Sequence, residues 1–235
     1  MTDLTIVMYH YIRPIIGSEF PGIKGLEIEG FKRQLDFLEN NYSIVSSEQV
    51  IDKIIKNKKL PPKACWLTFD DGYKDHYQYV LPELINRNLS GAFFPPVVAI
   101  KENKVLDVNS IHHILSCSDD NNKLVADLND LCLQFGMTNE QIHAYYKEYG
   151  VANRFDNADT IFIKRMLQHV LPEQIRNEIV SILFEKIVGI PEAKFSSRLY
   201  MNIDEVRKLV SSGMYVGSHG SMHYWLGWIK FQKQK

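Results

Sequence analysis

The run Ala64-Cys65-Trp66-Leu67-Thr68-Phe69 stops at Asp70-Asp71-Gly72, and this junction constrains the fold more than any other stretch of the chain. A short apolar run bounded by turn residues reads as a buried strand. Leu4 to Tyr9, ending in His10, reads as an earlier buried strand, and Gly91–Val98, aromatic and β-branched, as a later one. Between them lie helical patterns. Phe31, Leu35 and Leu38 recur at helical spacing in Glu29–Asn40, and Ser46-x-x-Gln49 forms a capping box ahead of Val50, Ile54 and Ile55. Pro61-Pro62 separates that helix from the strand at Ala64, and Lys74–Asn88 reads as helical with a kink or restart at Pro82. Strands alternating with helices through short connections predict parallel βα units.

The rhythm changes after about residue 105. Leu124, Leu128 and Leu131, then Ile161, Met166 and Leu167, then Ile175, Ile179, Ile182 and Leu183 mark successive helices, an insertion spanning about 105–200. Asn202-x-x-Glu205 then caps a helix carrying Val206, Leu209 and Val210, and Gly213 suits its end. Met214–Val216 reads as a fourth strand that delivers Gly217-Ser218-His219. Both polar clusters therefore follow the carboxyl ends of strands, where parallel α/β folds form their active sites.

Adjacent carboxylates after a buried strand repel each other and need a cation or a donor. Taken alone, Asp70-Asp71-Gly72 reads equally well as a plain turn. His219-Gly220-Ser221-Met222-His223 places two imidazoles four residues apart, able to share one face of a helical turn, although such a pair is often two unrelated histidines. Together the clusters offer one carboxylate oxygen and two nitrogens to a divalent ion with a position left open, the pattern of a catalytic zinc rather than a structural one. The second carboxylate is then free to act as a base.

Composition narrows the alternatives. The chain has 235 residues with 45% apolar and 23% charged, which favours one globular α/β domain over disorder. With 27 basic and 28 acidic side chains and no basic stripe, nucleic acid is not an expected partner. Met1 to Tyr11 carries Asp3 and lacks the basic start and cleavage site of a signal peptide, and no stretch reaches the roughly 18 apolar residues of a membrane span. Cys65, Cys117 and Cys132 form no Cys-x-x-Cys pair and read as free thiols of a cytoplasmic protein.

Thr68-Phe69-Asp70-Asp71-Gly72 resembles the first motif of the polysaccharide deacetylase family of carbohydrate esterases, and Ser218-His219-Gly220-Ser221-Met222-His223 resembles the second. Met8-Tyr9-His10-Tyr11, Phe31 to Leu38 and Gly91-Ala92-Phe93-Phe94 agree with it, so the resemblance covers roughly residues 1–100 and 200–228. It implies a distorted (β/α)7-type barrel, incomplete here, with the helical insertion between the two metal-binding motifs of a single partial domain, 1–235. It implies that Asp71, His219 and His223 hold a divalent metal, zinc first, with cobalt, nickel or iron acceptable to the same ligands. Asp70 is then the general base, His10 and Tyr73 are candidate substrate contacts, and the reaction is hydrolysis of an acetyl group, N-acetyl first, on a saccharide.

The family's later motifs, including an Arg that orients the base and a His that protonates the leaving amine, have no counterpart before the sequence ends in Trp228–Lys235. A chain truncated at its C-terminus, or an inactive metal- or saccharide-binding fragment, is the alternative expectation. Within the enzyme reading, His10 and His76 are candidates for a rearranged acid, whereas His112 and His113 read as ordinary loop residues.

Overall fold

The computed structural model describes residues 4–118, 120–221, 223 and 232. Met1 to Asp3, Met222 of the histidine segment, and residues 228–231 and 233–235 of the closing tail lie outside the described residues. In chain order the elements begin β1 (Leu4–Tyr9), α1 (Ile28–Asn41), β2 (Ser43–Ile44), α2 (Ser47–Lys56) and β3 (Ala64–Asp70). A π-helical turn (His76–Val80), α3 (Leu81–Asn86), β4 (Ala92–Phe94) and α4 (Val97–Lys101) follow. The helical middle contains α5 (Asp107–Cys117), α6 (Asn121–Gln134), α7 (Asn139–Tyr149), α8 (Ala158–Arg165), a second π turn (Met166–Val170) and α9 (Glu173–Val188). Then come α10 (Glu192–Leu199), α11 (Ile203–Ser211) and β5 (Tyr215–Val216).

The described chain divides into two compact units. One holds residues 4–18, Lys24–Lys104 and residues 193–223; the other holds Glu19–Ile23 and Val105–Glu192. The segment expected as an insertion to about residue 200 therefore hands α10 to the first unit from Ala193 onward. In the second unit the helices bury Ile111, Ile114, Leu124, Leu128, Phe162, Ile163 and Leu183. His112 and His113, expected in a loop, lie instead on α5, where His113 is fully buried and its Nδ1–H donates to the Asn109 carbonyl at 2.8 Å. No helix among the described residues is long and apolar enough to cross a membrane.

The first unit is built on a parallel sheet with β3 at its centre. Leu4–Tyr9 of β1 pairs residue for residue with Ala64–Phe69. Since β1 fills that edge, β2, at Ala64 and Cys65, and β4, from Thr68, share the other. β5 continues the sheet beyond β4, with Ala92 opposite Tyr215 and Phe93 opposite Val216. Alternation along β3 sends Cys65, Leu67 and Phe69 into a core with Phe31 and Leu35 of α1, Leu84 of α3 and Phe93 of β4. Tyr9, Phe69 and Phe93 stack in series at centroid separations of 5.3 and 4.8 Å. Each fully buried aromatic side chain contributes about 1.5–3 kcal/mol through area removed from water. On the other face Ala64 and Trp66 join Val45, Val50 and Leu60, and the Trp66 indole N–H donates to the Ser47 hydroxyl.

Three strands differ from their sequence reading. β1 is half-exposed rather than buried: Val7 and Tyr9 face the core, while Ile6 and Met8 are 55% and 58% exposed on the opposite face. A continuous apolar run cannot report that one of its faces lacks cover. β4 stops at Phe94 instead of running to Val98, because Pro95 and Pro96 have no N–H to continue the ladder, and α4 begins directly after them. β2, too short to show any periodicity, adds a fifth strand.

The caps are as the sequence reads them. Ser46 and Gln49 exchange hydrogen bonds at the start of α2, and Asn202 and Glu205 do the same at the start of α11. Gly213, at φ +83°, ends α11 in a left-handed conformation. Pro82 has no N–H to give Gln78, and just ahead of it the helix widens so that the Leu81 N–H reaches the His76 carbonyl.

His76 lies on that wide turn, fully buried against Phe69, Tyr73 and Phe93, and its Nε2–H donates to the His10 carbonyl at 2.8 Å. Burial lowers its pKa from 6.5 to about 4. Between those two values the unfolded chain binds a proton that the folded chain refuses, so stability rises with pH across this window. The expected loss on going from pH 6.5 to pH 4 is about 3 kcal/mol, read as a fall in the urea midpoint. His76→Leu should show a smaller fall over the same window; an unchanged slope would contradict this assignment. Phe69→Ala, which empties the centre of the aromatic stack, should cost about 3–5 kcal/mol at neutral pH, measured by chemical denaturation.

Candidate metal centre

At the end of β3 the chain turns through two consecutive left-handed residues, Asp71 at φ +70° and Gly72 at φ +66°. Gly72 adopts this freely, and it must stay small: a Cβ there would sit 2.7 Å from Cβ of Pro95. Asp71 has a Cβ, so its conformation costs on the order of 1 kcal/mol and persists because its surroundings hold it. The Tyr73 hydroxyl donates to Asp71 Oδ2 at 2.6 Å, the Met201 N–H donates to the Gly72 carbonyl at 2.9 Å, and Tyr73 and Tyr200 form an antiparallel bridge. The carboxylate is thereby buried, with the residue 3% exposed.

The histidines arrive from β5. The Gly217 N–H donates to the Phe93 carbonyl, and a Cβ at Gly217 would come within 2.5 Å of the Phe94 ring, so only glycine lets the chain pass that close. His219 and His223 follow on a turn rather than the expected helical face: the His223 N–H donates to the Gly220 carbonyl at 3.0 Å, and His223 itself has φ +55°. Both Nε2 atoms lie 3.4 Å from Asp71 Oδ1, and the two rings sit 4.9 Å apart, inclined at 66°. The structure thus brings together the three residues expected as ligands, with one donor atom from each within 4.8 Å of the others.

These residues fit a cation. Asp71 Oδ1 and His219 Nε2 are buried without a hydrogen-bond partner, and two imidazole nitrogens converge on one carboxylate oxygen. Such buried groups otherwise forfeit their interaction with water. Burial alone would raise the Asp71 pKa, but His219, His223 and the Tyr73 hydroxyl hold it well below the usual carboxylate range. The same attraction to Asp71 raises the His223 imidazole. One oxygen and two nitrogens suit zinc and its neighbours and leave coordination positions for water and substrate.

Asp70 closes β3 opposite Phe94 of β4. Burial raises its pKa, against the pull of His219 and His10, so it is readier to accept a proton than an ordinary aspartate. His10 reaches this neighbourhood through strand register: Tyr9 pairs with Phe69, and the next residue along each strand is His10 and Asp70. It is partly exposed, and His76 pins its carbonyl.

Two assignments change. Tyr73 is fully buried with its hydroxyl engaged by Asp71, so it supports the carboxylate rather than contacting substrate. His76 is fully enclosed in the core and cannot reach a leaving group. Around Tyr73 the structure adds partners that no spacing in the sequence announces. Tyr11 stacks on it at 4.2 Å and Tyr200 at 6.1 Å, while Arg13 lies over the Tyr11 ring and pairs with the buried Asp75 at 2.6 Å. The one available signal was a tyrosine two residues beyond a candidate ligand.

No protein-family model and no curated protein matches the chain. Solved structures do. A de-N-acetylase from Aggregatibacter actinomycetemcomitans is 18% identical, with a TM-score of 0.45 over 93% of this chain and 55% of that one. The BpsB deacetylase domain from Bordetella bronchiseptica is 13% identical, with a TM-score of 0.42 over 93% of this chain and 55% of that one. A polysaccharide deacetylase from Bacillus cereus is 16% identical, with a TM-score of 0.33 over 89% of this chain and 68% of that one. The chain spans about half the length of the first two. Each of these three solved proteins is a deacetylase or de-N-acetylase.

Proposed function

We propose that the chain is a metal-dependent hydrolase that removes an acetyl group, N-acetyl first, from a saccharide, and that its sheet is part of a distorted (β/α) barrel. The observation that carries this reading is the meeting of Asp71, His219 and His223 at one point beside Asp70, from loops at the carboxyl ends of two strands of one parallel sheet.

Asp71, His219 and His223 would hold a divalent ion, which when bound would lower the pKa of a water and polarise a carbonyl oxygen. Asp70 takes a proton from the attacking water, a role its raised pKa favours. The water oxygen bonds to the acetyl carbon, the carbon–nitrogen bond breaks, and the amine leaves with a proton. The products are acetate and the free amino sugar. His10 is the group in reach to supply the amine's proton, because strand register sets it beside Asp70 on a partly exposed strand end. Its backbone, fixed by His76, limits where the imidazole can swing.

The test is acetate release from N-acetylated oligosaccharides by the 235-residue protein, with and without a chelator. Release should require the metal and return on adding zinc or cobalt. Asp70→Asn should lower kcat about 10²–10⁴-fold while leaving stoichiometric metal binding in place. His10→Ala should lower kcat by a similar factor, again with metal binding intact. Release that survives the chelator or Asp70→Asn would defeat the mechanism.

A further inference from the structure

The two oxygens of Asp71 are treated differently by the protein. Oδ2 accepts the Tyr73 hydroxyl at 2.6 Å, whereas Oδ1 is buried, lacks a hydrogen-bond partner and lies 3.4 Å from both histidine nitrogens. A carboxylate left to itself on a divalent ion can bind through one oxygen or through both. Here one oxygen is already in use.

The donor is firmly held. Tyr73 is fully buried between Tyr11 and Tyr200, its ring nearly parallel to both, at interplanar angles of 23° and 11°. The Arg13 guanidinium lies 4.8 Å from the Tyr11 centroid and 6.0 Å from that of Tyr73, and its own position is fixed by the pair with Asp75. The Tyr73–Tyr200 bridge and the Met201-to-Gly72 hydrogen bond tie this stack to the turn that carries Asp71. A side chain with two stacked neighbours and a backbone bridge cannot swing away without breaking several contacts at once.

We propose that Tyr73 is a positioning residue that occupies Asp71 Oδ2 and so restricts this aspartate to one-oxygen coordination, keeping a position on the metal open for water and substrate. The inference rests on the metal-centre reading above and adds to it the state of one ligand. Partners that orient a metal ligand typically change metal affinity by 10- to 100-fold when removed. The mechanism is specific to the hydroxyl. The ring's packing contributes to the fold, and Tyr73→Phe separates the two because it keeps the ring and removes only the donor.

The experiment uses the full chain loaded with Co(II), whose visible absorption reports coordination number, together with competitive titration of zinc against a chromophoric chelator. Tyr73→Phe, with an unchanged circular dichroism spectrum, should bind zinc about 10- to 100-fold less tightly and show weaker visible bands of higher coordination number, as Oδ2 becomes available. A zinc Kd within about twofold of wild type together with a superimposable Co(II) spectrum would overturn the proposal. Should Tyr73→Phe not fold, X-ray absorption on zinc-loaded wild-type protein decides the matter, since one carboxylate oxygen supports the proposal and two overturn it. Failure of the wild-type chain to bind zinc or Co(II) at all would remove the metal-centre reading and this inference with it. Binding without any Tyr73 effect would remove the inference alone.

Discussion

The left-handed turn at Asp71-Gly72 is the constraint on which the candidate site depends. A strand that ends in a regular turn would point its terminal carboxylate outward into water. Here the backbone reverses within two residues, and the buried Asp71 carboxylate meets the histidines from β5. The conformation is unfavourable for any residue with a Cβ, so the fold must hold it from outside. Tyr73 does this from the side chain, and the Met201 N–H does it through the neighbouring carbonyl.

That arrangement explains why residues far apart in sequence converge. α10 and α11 follow the helical middle, and the segment joining them, Tyr200 to Asn202, sits directly against the Gly72–Tyr73 turn. β5 then pairs with β4, and Gly217 lets it pass tight against Phe94. The route from Asp71 to His219 is long in sequence but short in space because its two ends follow β3 and β5, which flank β4 in one sheet.

Much of this was legible in the sequence. Helices with an apolar stripe and a capping pair, such as those at Ser46 and Asn202, announce both their start and their buried face, because the signal is local. The meeting of Asp71, His219 and His223 was legible because a carboxylate and two imidazoles, each just past the end of a strand, suit one shared cation. What the sequence concealed was non-local. Nothing in Leu4–Tyr9 says that Ile6 and Met8 lack cover, since an apolar strand looks the same with one face packed or two. The role of Tyr73 was hidden for the same reason: a tyrosine beside a ligand motif can as easily face a substrate as a carboxylate, and only its neighbours Tyr11 and Tyr200 decide. The histidine pair misled in a smaller way. Spacing of four fits a helix, but Gly220 and Ser221 allow a tight turn that reaches the same convergence.

The register of β1 on β3 carries a consequence for how this site can drift under mutation. His10 and Asp70 stand side by side because Tyr9 and Phe69 are paired one residue earlier, and those two rings are stacked inside the core. Neighbouring strands are only about 4.8 Å apart, and a slip of a single residue would send every side chain of β1 to the opposite face. The spacing between these two polar groups is therefore inherited from aromatic packing that neither of them touches with its own chemistry. Substitutions at Tyr9 or Phe69 that look conservative by volume can change the separation of His10 and Asp70 before they unfold the sheet, so this core sets the geometry of the strand ends as well as the stability.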